Sequence, residues 1–222
     1  MIDAVVIAAG LGTRLRPLTE RYAKPVLPID GTPVLARLLR ELADAGVPRA
    51  TVVTGHLAEQ VERLVGDGSS FGLDVAYARQ SSPDGSAHAV AAAGAAPPYL
   101  VLGADTVFTP GDIGRFARAF TASGAAGALA VQPRPGTVEL ADGLVRRVLG
   151  DGVLAMPLWA AGQAVASRID ALPGAPPFEL STAFQQSIDA GEEVLGVEVG
   201  PTRGLTTPFD LAEQNFAYLR SL

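Results

Sequence analysis

The 222-residue sequence contains no cysteine. This absence excludes disulfide bonds, thiolate metal sites and a cysteine nucleophile, and it fits a protein of the reducing cytoplasm. No apolar run approaches the roughly 20 residues that cross a bilayer, and the N-terminus lacks the basic region and small-residue cleavage site of a signal peptide. We therefore predict a cytoplasmic protein with no membrane partner.

Positive charge is also scarce, since 17 basic residues stand against 23 acidic ones and give a net charge of −6. A nucleic-acid binder usually presents a net basic face, so nucleic acid is excluded as an expected partner. The net charge does not exclude a small anion as a ligand, because a few local cations can bind it within an acidic protein. Lys24 is the single lysine, and Lys24 and Arg14 flank proline and glycine, where a charge that serves only solubility has no reason to be.

Strand-like and helix-like patterns alternate over residues 1–133. The run IDAVVIAA is typical of a strand buried on both faces. In TPVLARLLRELADAGV the apolar residues share one helical face, which predicts a helix with Thr32 as N-cap, Pro33 at its first position and Gly46 as its stop. The repeated βα rhythm predicts an α/β fold, with a mixed, mostly parallel Rossmann-like sheet and helices on both faces.

Residues 134–222 follow a looser pattern without an internal repeat or a low-complexity segment. We predict a hairpin around Asp142 and Gly143, a strand in VLAMPLWA and a helix in FELSTAFQQSIDAG. A last amphipathic helix is predicted in PFDLAEQNFAYLRSL, with one packed side that consists of Phe209, Ala212, Phe216 and Leu219. We interpret the whole chain, residues 1–222, as a single domain.

The stretch AAGLGTRLRPLTERYAKP, residues 8–25, follows the first strand, where ligands of open α/β sheets bind. It is neither a P-loop nor a dinucleotide fingerprint, because the required lysine and third glycine are missing. Gly10 and Gly12 let backbone amides approach phosphate oxygens. Thr13 adds a hydroxyl donor, while Arg14 adds a planar fork and Lys24 a compact charge. The stretch predicts a polyphosphate pocket, and the alternative is a tight turn that is basic by chance.

These residues resemble the signature of the sugar-1-phosphate nucleotidylyltransferases of the glucose-1-phosphate thymidylyl- and uridylyltransferase type. That signature is a small-residue pair, G-x-G-T-R-x-x-P-x-T and then Lys-Pro, and all its positions are filled here. The resemblance extends to at least residue 110. It implies the GT-A-like nucleotidyltransferase form of the Rossmann-like fold, with a nucleotide-binding half over residues 1–133 and a sugar-phosphate-binding half over residues 134–222.

The resemblance also implies site residues. Arg14 and Lys24 are the catalytic candidates, Asp105 at the end of VLGAD is the candidate ligand of a Mg²⁺ cofactor, and the nucleotide-binding candidates are Ala8, Ala9, Gly10, Gly12, Thr13, Gln80, Gly85 and Ser86.

The last three of these residues lie in QSSPDGSAHAV, which resembles the base-recognition loop of the family. By this resemblance the amide of Gln80 would donate to and accept from the imide edge of a pyrimidine, and Gly85 would let the backbone meet the base. Taken alone, the stretch is also consistent with an ordinary Pro-Asp-Gly turn and a helix start at Ser86.

The chain departs from the family pattern in its second half. Gly204 occupies the position where a second metal carboxylate is expected, and no Glu-Lys-Pro is present near the sugar. Trp159 lies in the corresponding segment, and Glu179 is expected either to face the sugar or to cap its helix.

Two histidines and two acidic residues receive no catalytic role. His56 and His88 lack the spacing of a zinc site and are expected to be structural or loop residues. Asp210 and Glu213 are expected on the surface of the last helix.

The resemblance implies transfer of a nucleotidyl group from dTTP or UTP to a sugar 1-phosphate, glucose 1-phosphate or a related hexose, with release of pyrophosphate. One alternative is a non-catalytic homologue that only binds a nucleotide or sugar nucleotide, which Gly204 motivates. The other is cytidylyl or guanylyl transfer to another phosphate, such as phosphocholine or inositol phosphate. The partners are then a nucleoside triphosphate and a sugar 1-phosphate, and the oligomeric state stays open.

Overall fold

The structure is a computed structural model, and it describes residues 1–216. Within these residues the strands are β1 (Asp3–Ile7), β2 (Pro28–Ile29), β3 (Thr32–Pro33), β4 (Arg49–Thr54), β5 (Asp74–Arg79), β6 (Tyr99–Gly103), β7 (Thr106–Val107), β8 (Gly127–Gly136), β9 (Glu139–Ala141), β10 (Leu144–Arg147), β11 (Gly152–Ala161), β12 (Val194–Glu198) and β13 (Arg203–Gly204). The α-helices of the same residues are α1 (Val34–Asp44), α2 (Ala58–Val65), α3 (Ser86–Ala93), α4 (Asp112–Ser123), α5 (Gln163–Asp170), α6 (Leu180–Asp189) and α7 (Pro208–Asn215). Among them, no helix has the length and apolar character needed to cross a membrane.

The main sheet of the described residues has nine strands in the order β5-β4-β1-β6-β11-β8-β12-β10-β9. Strands β5, β4, β1 and β6 are parallel neighbours, and β8 and β12 are also parallel. Only β10 and β11 run against the direction of β1. The predicted mixed, mostly parallel sheet is therefore confirmed, and the carboxyl ends of β1, β4, β5 and β6 lie along one edge.

The central strands are apolar throughout because helices cover both faces of the sheet. Val6 of β1 packs in a core cluster with Leu38 of α1 and Phe116 of α4. Its neighbour Val5 packs on the opposite face, in a cluster with Phe184 of α6. Successive residues of a strand point to opposite faces, so alternate side chains of a continuous apolar run such as AVVI pack against the helices on the two faces.

The start of α1 differs from the prediction. Thr32 and Pro33 form β3, which pairs with β2, and the helix begins at Val34 with Pro33 as an N-cap that makes no side-chain hydrogen bond. Thr32 is therefore not the N-cap, because its backbone pairs with β2, although local propensity places it at the start of the helix. The end agrees with the prediction, since Gly46 has a φ of +81° just beyond the helix.

The hairpin around Asp142 and Gly143 is confirmed, and both residues have positive φ values of 55° and 76°, as a type I′ turn requires. Helix α5 was not predicted. Its short apolar pattern follows a strand directly, without a Ser, Thr, Asp or Asn N-cap to mark its start.

The predicted packed side of the last helix is wrong for two of its residues. Phe209 and Phe216 are 67% and 53% exposed, and Leu219 lies outside the described residues. Helix α7 packs instead through Leu211, which lies against the cluster that contains Ile29, and the amide of Asn215 donates to the Pro28 carbonyl at 2.8 Å. Asp210 is more than a surface residue, because its carboxylate completes a capping box with Thr207.

Glu41 on α1 is a carboxyl group that its surroundings keep from ionising readily. Its Oε2 atom is buried without a hydrogen-bond partner in the described residues. Burial raises its pKa to about 7, although the Phe108 backbone N–H and the Arg37 guanidinium act in the opposite direction, and Asp44 and Asp112 raise it further. The folded state therefore holds this proton at a pH where the unfolded chain has lost it.

We expect Glu41→Gln to be more stable than the wild type at neutral pH. Because the folded pKa lies above the unfolded value, the stabilising effect of the protonated carboxyl is full below the unfolded pKa and is lost as the pH rises to about 7. After allowance for solvent screening, the variant should gain about 1 kcal/mol over the wild type between roughly pH 5 and pH 8. Urea unfolding at both pH values measures this difference. Glu59→Gln, at an exposed position of α2, should show no such trend, and an equal trend in both variants would contradict the assignment.

Candidate functional site

The loop after β1 is shaped by its second glycine. Gly12 has a φ of +62°, and a Cβ there would lie 2.8 Å from the Cγ2 atom of Thr19 and 3.3 Å from the Cβ atom of Lys24. The Thr19 hydroxyl donates to the Gly12 carbonyl at 2.8 Å. A larger residue would push this segment away, so Gly12 permits the close approach that brings Lys24 to the loop. Gly10, in contrast, has nothing within 4 Å of its Cβ position.

Lys24 and Asp105 meet across the edge of the sheet. Lys24 opens a short 3-10 turn, Lys24–Val26, and Asp105 follows β6. The Lys24 ammonium donates to the Oδ2 atom of Asp105, and the two side chains are 16% and 37% exposed. The single lysine and the strand-end carboxylate therefore form one half-buried ion pair, although 81 residues separate them in sequence.

A cavity of about 410 Å³ opens beside this ion pair. The sequence-predicted residues that line it are Ala8, Gly10, Gly12, Thr13, Arg14, Lys24, Ser86 and Asp105. Arg14 is exposed, and no hydrogen bond or ion pair is formed by its guanidinium within residues 1–216. Because Lys24 is paired and Arg14 is not, Arg14 is the cation ready to bind an anion that enters.

Two other predicted residues, Ala9 and Gln80, lie outside this cavity. They line a neighbouring cleft of about 210 Å³, together with Leu11, His56 and Arg79. His56 approaches the Thr19 carbonyl at 2.7 Å through its Nε2 atom, which must be the donor because a carbonyl only accepts. His56 thus has the structural role expected for it.

The amide of Gln80 differs from the expectation that it donates to and accepts from a base. Its nitrogen donates to the Gly85 carbonyl at 3.0 Å and lies 3.3 Å from the Nδ1 atom of His88. An amide nitrogen has two N–H donors, and both are engaged when His88 is in the tautomer whose Nδ1 atom accepts. In this conformation only the Gln80 carbonyl oxygen can bind a ligand, and it can only accept.

Gly85 also has a different neighbour from the one expected. Its φ is +108°, and a Cβ there would lie 2.2 Å from the carbonyl oxygen of Phe178. The Phe178 backbone bonds to both sides of this glycine, since its N–H donates to the Asp84 carbonyl at 2.7 Å and its carbonyl accepts from Ala87 at 2.9 Å. Gly85 is therefore required for close packing of the segment before α6, and it lines neither of the two cavities.

Sequence reasoning missed the junction between α3 and α6. The Glu179 carboxylate accepts from the hydroxyl and, at 3.3 Å, from the N–H of Ser86. The Ser86 hydroxyl in turn accepts from the Leu180 N–H at 2.9 Å. Glu179 makes no side-chain bond to its own helix, so it caps α3 rather than α6. Positions 93 residues apart carry no local pattern that could have revealed this contact.

The same cavity is also lined by Trp159, Glu179 and Ser181. Trp159 is on β11, and its ring meets that of Phe184 edge-on with centroids 4.8 Å apart, which fixes the indole in place. An aromatic face beside a carboxylate and a hydroxyl is a surface that suits a hydroxylated ring.

The residues present fit Mg²⁺ only in part. Within residues 1–216 no group of three or more His, Cys, Asp or Glu side chains could hold a metal ion. Asp105 supplies one carboxylate, and Gly204 lies beside it because β13 pairs with β7. Mg²⁺ is usually held by one or two carboxylates together with substrate phosphates and water, so Asp105 fits an ion that takes most of its ligands from a substrate.

Comparison with known proteins agrees with this geometry. A family model described as nucleotidyl transferase matches residues 3–148. The glucose-1-phosphate thymidylyltransferase of Streptomyces antibioticus is 47% identical over 89 residues, which cover 40% of this chain and 25% of that protein. The CMP-5'-(3-aminopropyl)phosphonate synthase of Streptomyces rubellomurinus is 37% identical over 158 residues, 69% of this chain and 24% of that protein.

The solved structure of a UDP-glucose pyrophosphorylase from Acinetobacter baumanii superimposes with a TM-score of 0.84 at 19% identity, over 98% of this chain and 93% of that one. This likeness confirms the expected nucleotidyltransferase form of the fold. The two curated relatives are matched over only about a quarter of their length.

We expect Gly85→Ala to unfold much more readily than the matched variant Gly94→Ala. Alanine at 85 must adopt a conformation reserved for glycine and displace the Phe178 backbone, which should cost about 3 kcal/mol or more. Gly94 has a φ of +58° with nothing within 4 Å, so its replacement should cost about 1 kcal/mol. Urea unfolding of both variants measures the difference, and equal costs would show that the contact with Phe178 does not form.

Proposed function

Because the chain belongs to the nucleotidyl transferase family, we propose that it transfers a nucleotidyl group from a pyrimidine nucleoside triphosphate to a sugar 1-phosphate. The donor is dTTP or UTP, the acceptor is glucose 1-phosphate or a related hexose phosphate, and the products are a nucleoside diphosphate sugar and pyrophosphate.

One observation carries the proposal. A glycine loop, Arg14, Lys24 and Asp105 line the same cavity at the carboxyl ends of β1 and β6. A pocket for a neutral ligand has no need of two cations beside open backbone amides. A pocket that brings two phosphate compounds together needs both, because their mutual repulsion must be offset.

The reaction is an in-line displacement at phosphorus. A phosphate oxygen of the acceptor forms a bond to the α-phosphorus, and the bond from that phosphorus to the bridging oxygen of the β-phosphate breaks. Pyrophosphate leaves with the electron pair. The attacking oxygen is already an anion, so no general base is required, and catalysis depends on orientation and charge neutralisation.

Each residue then has a defined task. Arg14 holds the β- and γ-phosphates through its planar fork, Lys24 binds the α-phosphate and the incoming phosphate, and the amides of residues 10–13 line the triphosphate. Asp105 would hold a Mg²⁺ ion, which supplies positive charge to the phosphate oxygens. In this assignment residues 1–133 are the nucleotide-binding half of one domain.

Residues 134–222 are the proposed acceptor half. Trp159, Glu179 and Ser181 support this assignment, since they line the same cavity as the ion pair. The Glu179 carboxylate is held by Ser86 and keeps further lone pairs that can accept from a sugar hydroxyl.

Cytidylyl transfer to a different phosphorus acid is the second candidate. The match to the phosphonate synthase covers 69% of the chain, more than the 40% covered by the thymidylyltransferase. The Gln80 amide, which can only accept in this conformation, is compatible with the amino group of cytosine as well as with the imide N–H of uracil.

A pyrophosphate-release assay that pairs dTTP, UTP, CTP and GTP with hexose 1-phosphates, inositol phosphate, phosphocholine and a phosphonate tests the proposal. We expect release with dTTP or UTP and a hexose 1-phosphate in the presence of Mg²⁺. Lys24→Ala and Asp105→Ala should remain folded and lose turnover by about 10²-fold or more. Release with CTP and a non-sugar acceptor alone would establish the second candidate. Nucleotide binding without release in every pair would mean a non-catalytic module, and full activity of Asp105→Ala would contradict the metal assignment.

Two neighbouring arginines provide a matched test of the phosphate role. Arg14 and Arg16 are both exposed, and only Arg14 is among the residues that line the cavity. We expect Arg14→Ala to lower kcat/KM for the nucleotide by about 10²-fold, because a charge-assisted contact to the leaving group is lost. Arg16→Ala should stay within about threefold of the wild type. Steady-state kinetics at saturating acceptor measures both, and similar losses in the two variants would show that general charge, rather than a contact in the cavity, is responsible.

A further inference from the structure

We propose that this chain does not bind the divalent cation by itself and accepts it only together with the polyphosphate, because Lys24 occupies the carboxylate of Asp105, the candidate ligand of the ion. The inference rests on the proposed function for the identity of the polyphosphate. It adds an order of binding and assigns Gly204 as the residue that decides it.

Both oxygens of the Asp105 carboxylate are engaged. Oδ2 accepts from the Lys24 ammonium, and Oδ1 accepts from the Thr106 hydroxyl at 3.3 Å. The first contact is a half-buried ion pair and the second is a long hydrogen bond. A cation that approaches Asp105 must therefore share the carboxylate with Lys24 or displace it, since the ammonium and the ion compete for the same negative charge.

The balance of charge opposes this displacement when the ion is alone. The charged side chains that line the cavity are Arg14, Lys24, Asp105 and Glu179, two of each sign. A divalent cation would add two positive charges and leave the Lys24 ammonium without its partner in a half-buried place, which is costly. A polyphosphate offsets both the added positive charge and the loss of the Lys24 partner, because it supplies oxygen ligands to the ion and a new anion to Lys24.

Gly204 is where a second carboxylate would change this balance. It pairs with Thr106 across β13 and β7, and a Cβ at this position would lie 3.4 Å from the Asp105 carbonyl oxygen and 3.9 Å from the Thr106 hydroxyl. These are ordinary van der Waals distances, and φ of Gly204 lies outside the positive range that favours glycine. An aspartate therefore fits at 204 and begins beside Asp105.

Isothermal titration of the full chain with Mn²⁺, a probe that favours the same oxygen ligands as Mg²⁺, tests the inference. Without nucleotide, the wild type should show no one-to-one binding with a Kd below about 1 mM, which is the weak end of the range for carboxylate cation sites. Gly204→Asp should bind at least about tenfold more tightly than the wild type, because a second carboxylate adds charge and a ligand. Lys24→Met should also bind more tightly than the wild type, because it frees Asp105.

Two variants control for trivial effects. Gly204→Ala removes the glycine without adding charge, and Gly143→Asp adds the same charge at the exposed hairpin turn, where nothing lies within 4 Å of the Cβ position. Both should behave as the wild type does. Sub-millimolar binding of Mn²⁺ by the wild type that disappears in Asp105→Asn would overturn the inference, and so would equal affinities of Gly204→Asp and Gly143→Asp.

A second titration, with α,β-methylene analogues of dTTP, UTP and CTP, separates this inference from the proposed function. The wild type should bind an analogue at least about tenfold more tightly with Mn²⁺ than without it, because ion and phosphates bind together. If an analogue binds and free Mn²⁺ also binds to Asp105, only the order of binding is wrong. If none of the three analogues binds under any condition, the proposed function itself fails.

Discussion

The contact between Lys24 and Asp105 holds the candidate site together. It joins the segment after β1 to the end of β6, two strands that are neighbours in the sheet. A side chain at Gly12 would meet Thr19 and the Lys24 stem and would displace the segment that carries Lys24. A charge pair in the cleft thus depends on a glycine in the loop, and the loop depends on a parallel pair of strands for its place.

The first half of the site could be predicted from the sequence because its determinants are local. The glycine loop, Arg14 and Lys24 lie within 15 residues, and Asp105 ends a run that is plainly a buried strand. Parallel strands then bring their carboxyl ends to one edge, so the convergence follows from topology. The helix end at Gly46 and the turn at Asp142 could also be predicted, since positions with positive φ strongly favour glycine.

The errors arose where tertiary contacts override local preference. Thr32 has the chemistry of an N-cap, yet it is drawn into a two-stranded ladder with Ile29. Phe209 has the right helical spacing, yet α7 packs through Leu211 and a hydrogen bond from Asn215 and leaves this ring exposed. The donors of Gln80 are engaged by partners five and eight residues ahead. No periodicity encodes such contacts, because they depend on which surfaces meet after the sheet has formed.

The junction of Ser86 with Glu179 has a consequence for how such a fold can diversify. The two helices that it joins come from opposite halves of the chain, and the Phe178 backbone occupies the space that a Cβ on Gly85 would need. The halves are consequently not interchangeable modules. A chimera that grafts residues 134–222 of this chain onto a foreign first half keeps the packing of the proposed acceptor half only if the recipient offers a glycine and a small hydroxyl at the start of its third helix.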